Sequence, residues 1–104
     1  MLYIRICYDK PGVEDLRKRL RGQHLAYVKP NMAAGSVVRV LHGGPLCAND
    51  VDKTYVGSFM VLEAKRRDDV KKFHDEDPFT AGGLYERADI QRWDQHITDG
   101  MFHG

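Results

Sequence analysis

The chain has 104 residues, with 16 lysines and arginines against 15 aspartates and glutamates, and so a formal net charge of +1. This length fits one compact domain and is too short for two, so we expect a single domain over residues 1–104. Hydrophobic residues make up 42% of the chain and charged residues 30%, which excludes a disordered, collagen-like or membrane-spanning protein. The near-neutral charge, with no basic run longer than residues 65–67, argues against nucleic-acid binding.

The N-terminus and the cysteines bear on where the protein works. Residues 1–6 alternate like a strand and include the charged Arg5, so they lack the unbroken apolar stretch of a signal peptide. Cys7 and Cys47 are too few for a disulfide scaffold and wrongly spaced for a zinc knuckle. We therefore expect a cytoplasmic protein with free thiols and no membrane contact.

Hydrophobic periodicity predicts three elements in the first half of the chain. Residues 1–9 alternate with a period of two, which indicates a strand. Residues 13–29 carry apolar side chains at steps of three and four, which indicates a helix that ends before Pro30. The β-branched run in residues 36–41 predicts a second strand, ended by the breaker at residues 42–45.

Three more elements follow in the second half. Residues 54–63 predict a strand that is apolar on both faces, and residues 64–75 predict a helix. Residues 77 and 78, Asp-Pro, start a new turn, and residues 85–93 alternate as a last strand. The residues after this strand are rich in Gly and His, and we expect them to be loose at the end.

The predicted order βαββαβ corresponds to an α+β, ferredoxin-like fold. Such a fold has a four-stranded antiparallel sheet with both helices on one face. The other face is then bare, although the third strand is apolar on both sides. A second copy of the same face is the simplest cover for it, so we expect a homodimer with sheet packed against sheet.

His24 interrupts the apolar stripe of the first helix, where a leucine would be expected. One interpretation is a core histidine with a ring nitrogen bonded to a backbone carbonyl. The other is a general base or acid, because an imidazole titrates near neutral pH.

Asp77 lies in an acidic cluster with Asp75 and Glu76 at the end of the second helix, where carboxylates oppose the helix dipole. As the residue before a proline, Asp77 suits the cap of a short helical turn. Alternatively, it orients His24 or polarises a substrate hydroxyl. The sequence leaves both interpretations open.

Other motifs are weaker. His42-Gly43-Gly44-Pro45 lacks the Lys-Ser/Thr pair of a phosphate loop and is best explained as a turn. The five histidines show no pair at the i, i+4 spacing of metal ligands, so we expect no metal site. Ser58 lacks the Gly-x-Ser-x-Gly context of a nucleophile but could donate a hydrogen bond into a pocket.

Several segments together resemble the YCII-related family. They are the opening Met1-Leu2-Tyr3, the helical His24-Leu25-Ala26, the turn Gly43-Gly44-Pro45-Leu46, and Asp77-Pro78-Phe79-Thr80-Ala81-Gly82-Gly83-Leu84-Tyr85 before the closing strand. The family usually has a single glycine before the aliphatic-aromatic pair, so Gly83 alters this turn. The resemblance implies a dimeric α/β barrel of ferredoxin-like subunits and a pocket with a His and an Asp, which here are His24 and Asp77.

The family includes a cofactor-independent dehydrochlorinase of chlorinated hydroxyquinol, and similar folds include muconolactone isomerases and cofactor-free monooxygenases. The resemblance therefore implies a small cofactor-free enzyme that transfers protons on a hydroxylated aromatic ring, chlorinated or not. His24 would be the base or acid, and Asp77 would hold its tautomer. The candidate substrate contacts are Tyr3, Arg5, Ser58, Asp75 and Phe79.

The sequence leaves two alternatives open. The chain could be a dimeric binding or regulatory module for a small ligand, without turnover. It could also be a structural dimer in which His24 and Asp77 serve only packing and capping, and then no pocket is expected. For Arg5, a solvent-facing strand cation is the alternative to a partner for developing negative charge.

Overall fold

A computed structural model describes residues 1–104 as strands and helices in the predicted order, with short additions. The elements are β1 (Leu2–Asp9), α1 (Glu14–Val28), a 3₁₀ turn (Lys29–Met32), β2 (Val38–Cys47), β3 (Tyr55–Ala64), α2 (Arg67–Glu76), α3 (Pro78–Ala81), β4 (Tyr85–Trp93), β5 (Ile97–Thr98) and β6 (Met101–Phe102). No helix is long and apolar enough to cross a membrane.

The first four strands form one antiparallel sheet in the order β2-β3-β1-β4. Arg5 at the middle of β1 lies opposite Met60 on β3 and Ile90 on β4. This strand order is that of the ferredoxin-like fold, so the predicted α+β class is confirmed.

Both helices cover the same face of this sheet. One core cluster contains residues from all four strands together with Val28 of α1 and Val70 and Phe73 of α2. On β1, the odd-numbered residues Tyr3, Arg5 and Cys7 face this core and are buried. The predicted placement of the helices is therefore correct.

The opposite face of the sheet carries no helix. The even-numbered residues of β1 lie on this side, and the strand register places Phe59 and Val61 of β3 beside Ile6 and Ile4. We call this surface the open face, and its apolar members are Leu2, Ile4, Ile6, Tyr8, Phe59, Val61 and Trp93. Most of these side chains are only half-buried. The prediction that β3 is apolar on both faces is confirmed.

Strand β2 is longer than predicted. Residues 42–45, expected to break the strand, continue it to Cys47. A strand can accept Gly43 and Pro45 here because β2 lies at the sheet edge and its pairing with β3 shifts register after Val40 and again after Leu46. The chain reverses direction after Cys47, in the loop between β2 and β3. There the Ala48 amide donates to the Thr54 carbonyl at 2.8 Å, and Asn49 Oδ1 accepts from the amides of Val51 and Asp52.

Two smaller differences concern the ends of predicted elements. Strand β3 extends through Ala64, so α2 begins at Arg67 instead of residue 64. The C-terminal residues, expected to be loose, form a hairpin of β5 and β6. Asp99 and Gly100 both have positive φ, 51° and 74°, as a tight turn between two strands requires. Ile97, Met101 and Phe102 of this hairpin remain exposed.

Candidate functional site

His24 and Asp77, 53 positions apart in sequence, meet in the fold. Helix α1 carries His24 on its buried side, and Asp77 lies between α2 and α3. His24 Nδ1 lies 2.7 Å from Asp77 Oδ1, and both residues are buried. The interpretation of His24 as a core histidine bonded to a backbone carbonyl does not hold, because its partner is a carboxylate.

Asp77 also caps α3, so one residue forms both the predicted cap and a contact with His24. Its Oδ1 accepts a hydrogen bond of 3.0 Å from the Phe79 amide, and Pro78 occupies the first helical position. Asp77 Oδ1 thus accepts from the Phe79 amide and also contacts His24 Nδ1. The cap holds the carboxylate within hydrogen-bond distance of His24.

The other oxygen of Asp77 pairs with Arg5. Arg5 Nη2 donates to Asp77 Oδ2 at 3.0 Å, and neither side chain is exposed. Burial alone would raise the pKa of Asp77, but the hydrogen bond with His24 and the charge of Arg5 outweigh it and hold that pKa below its usual value. The carboxylate is therefore ionised at neutral pH.

The free side of the His24 ring faces a cavity. The ring stacks on Phe79 with centroids 4.0 Å apart and planes inclined by 12°. His24 Nε2 forms no hydrogen bond within the chain, yet it is not fully buried. It therefore retains access to the cavity, which His24 lines. An imidazole nitrogen that is open to a cavity while the other nitrogen holds a carboxylate can exchange a proton with a ligand.

The cavity has a volume of about 590 Å³ and lies between α1 and the β2–β3 side of the sheet. Helix α1 contributes Arg17, Arg21, His24, Leu25 and Val28, which share one face of the helix. The volume of the cavity and its lining of both polar and apolar side chains are typical of small-molecule sites. The structural-dimer interpretation expects no pocket and is therefore disfavoured.

A second polar group surrounds Ser58 on β3, which lines the same cavity. Ser58 Oγ accepts hydrogen bonds from Arg17 Nη2 and from the Tyr85 hydroxyl, each at 2.9 Å. Burial raises the pKa of Tyr85 well above its usual value, so the phenol keeps its proton. Because Ser58 Oγ accepts twice, its own proton is available to a ligand in the cavity.

Arg17 is held in place from several sides. Its Nε and Nη2 donate to the two carboxylate oxygens of Asp9 at 2.7 and 3.0 Å, and Nη2 also donates to the Gly57 carbonyl at 2.7 Å. Its guanidinium carbon lies 4.8 Å from the centre of the Phe79 ring. The Arg17–Asp9 pair thus anchors one end of α1 to β1 beside the cavity.

The structure brings only some of the candidate substrate contacts to the cavity. Ser58 and Phe79 line it. Arg5 lies behind Asp77 and is fully buried, so the interpretation of Arg5 as a solvent-facing cation is wrong. Tyr3 belongs to the hydrophobic core, and Asp75 is an exposed partner of Lys71 at 2.8 Å. Neither of these two residues lines the cavity.

Sequence reasoning missed Arg17, Arg21 and Tyr85. Arg17 and Arg21 precede His24 by seven and three residues, which places all three on one helical face, and this spacing was an available signal. Tyr85 gave no comparable signal, because its contact with Ser58 reaches from β4 across β1 to β3. No group of three or more His, Cys, Asp or Glu side chains is arranged to hold a metal ion.

Two known proteins resemble the chain over most of its length. Protein YciI of Escherichia coli O6:H1 is 28% identical over 95 residues, which cover 88% of this chain and 94% of that protein. The solved structure of 5-chloro-2-hydroxyhydroquinone dehydrochlorinase from Burkholderia phenoliruptrix AC1100, in complex with 2,5-dihydroxybenzoquinone, is 33% identical. It matches with a TM-score of 0.82 and covers 90% of this chain and 94% of that one.

A more distant structure, PA3566 from Pseudomonas aeruginosa, is 14% identical with a TM-score of 0.53, covers 90% of this chain and 91% of that one, and shows the fold alone. The YCII-related domain itself matches residues 1–94. The sequence resemblance is thereby confirmed, and the chain belongs to the YCII-related family.

Proposed function

We propose that this protein is a small enzyme that uses His24 and Asp77 to transfer a proton on a hydroxylated aromatic ring held in the cavity. The observation that carries the proposal is the 2.7 Å contact between His24 Nδ1 and Asp77 Oδ1, with His24 Nε2 left open to the cavity. The likeness to a dehydrochlorinase at 33% identity supports the same type of chemistry.

The pair assigns a task to each nitrogen of the imidazole. An ionised Asp77 accepts a hydrogen bond from Nδ1–H, which leaves Nε2 unprotonated in the neutral ring and able to act as a base. After it takes a proton from a ring hydroxyl, the imidazolium is stabilised by the carboxylate. The same Nε2 can then return the proton to a ring carbon, so His24 serves as base and then as acid.

The Ser58 group supplies the second half of the chemistry. When a ring hydroxyl loses its proton, negative charge develops on that oxygen and requires fixed donors. Ser58 can donate its free proton, and the Arg17 cation beside it favours negative charge. Both side chains are held by other hydrogen bonds before a ligand arrives, so they need little rearrangement during the reaction.

For a chlorinated hydroxyquinol the proposed steps balance without an electron carrier. His24 takes a hydroxyl proton and delivers a proton to the ring carbon that bears chlorine, which gives a keto tautomer. Loss of a second hydroxyl proton then forms the second carbonyl, and chloride leaves with the bonding pair of the carbon–chlorine bond. The products are a hydroxyquinone, chloride and one proton, so the reaction calls for no cofactor.

The test is chloride release from 5-chloro-2-hydroxyhydroquinone under anaerobic, reducing conditions, followed together with the ultraviolet spectrum. We expect turnover by the unmodified protein and a loss of about a hundredfold or more in His24→Asn, since general acid–base catalysis contributes about 10²–10⁴-fold. His96→Asn is the matched control, because His96 is an exposed histidine outside the cavity and should leave the rate unchanged.

Three outcomes would separate the alternatives. Chloride release that survives His24→Asn would contradict the proposed role of His24. Binding of the ring without any turnover would favour the small-ligand-binding module. Neither binding nor turnover would move the search to other small rings, and this substrate would be withdrawn.

We further propose that two copies associate through the open face. Leu2, Ile4, Ile6 and Phe59 form contiguous apolar surface there, and a soluble monomer rarely exposes such a surface. A two-fold axis through the face would place the same apolar strip against itself. The helix-covered side, which holds the cavity, would remain accessible in that dimer.

A further inference from the structure

The charged side chains that line the cavity are all basic. Arg17 and Arg21 lie along α1, and no aspartate or glutamate contributes to the lining. We propose that the cavity favours an aromatic ring that carries a carboxylate in addition to its reacting hydroxyl over the same ring without one, and that Arg21 binds this carboxylate. The inference rests on the proposed function only for placing the hydroxyl beside His24.

The two arginines differ in how far their charge is already balanced. Asp9 engages Arg17 through two hydrogen bonds, and Asp77 balances Arg5 behind the histidine. Arg21 forms no ion pair and no hydrogen bond with any other side chain, and it is exposed at the cavity. It is therefore the cation of the cavity whose charge remains free for a ligand.

The spacing along α1 suits one ring with two oxygen-bearing substituents. Arg21 follows Arg17 by four residues and precedes His24 by three, so its Cβ lies about 5–6 Å from theirs on the same helical face. A ring whose hydroxyl lies between His24 and Ser58 would extend from that hydroxyl toward Arg21 over about the same 5–6 Å. A carboxylate on another ring carbon could then reach Arg21, which has the planar donor pair that matches a carboxylate.

The rest of the wall favours this arrangement. Leu25, Val28, Met60 and Phe79 provide apolar surface for the ring. A cationic substituent would be repelled, because the charged side chains that line the cavity, Arg17 and Arg21, are also cations.

The test compares two rings of nearly equal size that differ in charge, 2,5-dihydroxybenzoate and 2,5-dihydroxybenzamide, by isothermal titration calorimetry under reducing conditions. We expect the carboxylate to bind about five- to tenfold more tightly than the amide, as suits a partly exposed charged contact. Arg21→Gln should abolish this preference. Arg19→Gln, which removes an exposed arginine of the same helix that does not line the cavity, should retain it.

Equal affinity for the two rings, a preference that survives Arg21→Gln, or no binding of either ring would overturn the inference. The binding measurement is independent of turnover, so the two proposals can fail separately. A carboxylate preference lost in Arg21→Gln, in a protein with no activity on any ring, would refute the proposed reaction alone. Turnover of neutral rings without a charge preference would refute the role of Arg21 alone.

Discussion

The two faces of strand β1 reverse the usual pattern of a half-buried strand. The side covered by helices carries Arg5 and Cys7 with no exposed surface, whereas the open side carries Ile4 and Ile6, which are only half-buried. Ordinarily the charged residue faces water and the aliphatic residues face the core. The covered side therefore contains a buried polar network, and the open side contains the apolar surface that the proposed dimer would bury.

The covered side is stable because its polar groups are paired. Asp77 forms ion pairs or hydrogen bonds with Arg5 and His24. Arg17 forms hydrogen bonds with Asp9 and Ser58. Burial raises the pKa of the Cys7 thiol to about 11, so it stays neutral within this environment. The open side contains no such network, and hydrophobic contact with a second copy would be its main source of stability.

The largest expected effect comes from a charge on the open face. Ile6→Glu should weaken the proposed dimer by roughly 3–6 kcal/mol, because an isoleucine buried in each copy contributes about 1.5–3 kcal/mol. Light scattering coupled to size exclusion should then show a monomer at concentrations where the unmodified protein is a dimer. Val51→Glu changes an exposed valine in a loop and should leave the mass unchanged. A monomeric unmodified protein would contradict the dimer itself.

A break in the network of the covered face should have the next largest effect. Asp77→Asn keeps a side chain that can cap α3 but leaves the buried Arg5 charge without a partner, so we expect a loss of about 3–5 kcal/mol in the free energy of unfolding. Urea denaturation at fixed protein concentration measures it. Replacing Arg5 with Met in the Asp77→Asn variant should recover much of this loss.

The exposed neighbour of Asp77 supplies the control. Asp75→Asn removes only a surface pair with Lys71, so the unfolding free energy should change by less than about 0.5 kcal/mol. If Asp77→Asn were equally mild, the buried pair would not stabilise the covered face, and the contrast between the two faces would be lost.

The smallest expected effect is a two-stage loss of stability in acid. Burial and the charge of Arg5 lower the pKa of His74 below 6.5, so the unfolded chain binds more protons and stability falls as the pH drops below about 6.5. The lowered pKa of Asp77 adds a second loss below about pH 4, as the pH falls through its folded-state pKa. Urea denaturation across this pH range should show both stages.

His74→Gln should remove the upper stage and leave the lower one. His103→Gln, at an exposed C-terminal position, is the comparison and should leave both stages in place. An upper stage that persists in His74→Gln would assign that loss of stability to another group.

Much of the fold could be predicted from local sequence. Alternation in β1 and β4 and the three- and four-residue spacing of α1 produced the correct order of elements, because these periods reflect burial of one side of each element. The end of β2 was predicted wrongly. Gly and Pro usually end a strand, but an edge strand with register shifts tolerates Gly43 and Pro45, and this depends on its neighbour.

The candidate site was predictable only in part. His24 was conspicuous because a polar residue interrupted an apolar stripe, and Asp77 because it preceded Pro78. Their contact could not be predicted from the local sequence, since it depends on how α1 packs beside α3, and only the family resemblance implied that both lie in one pocket. The burial of Arg5 was equally hidden, because an arginine in an alternating strand normally faces solvent.

Local periodicity and short motifs along the chain were enough to predict the order of the main elements, the ferredoxin-like class and the family. Tertiary packing was needed to show that Arg5 lies on the covered face of β1, that Arg5 and His24 share Asp77, and that Arg17 and Tyr85 contact Ser58. The physical reason is that a buried charge is stable only beside its partner, and partners distant in sequence are brought together by packing.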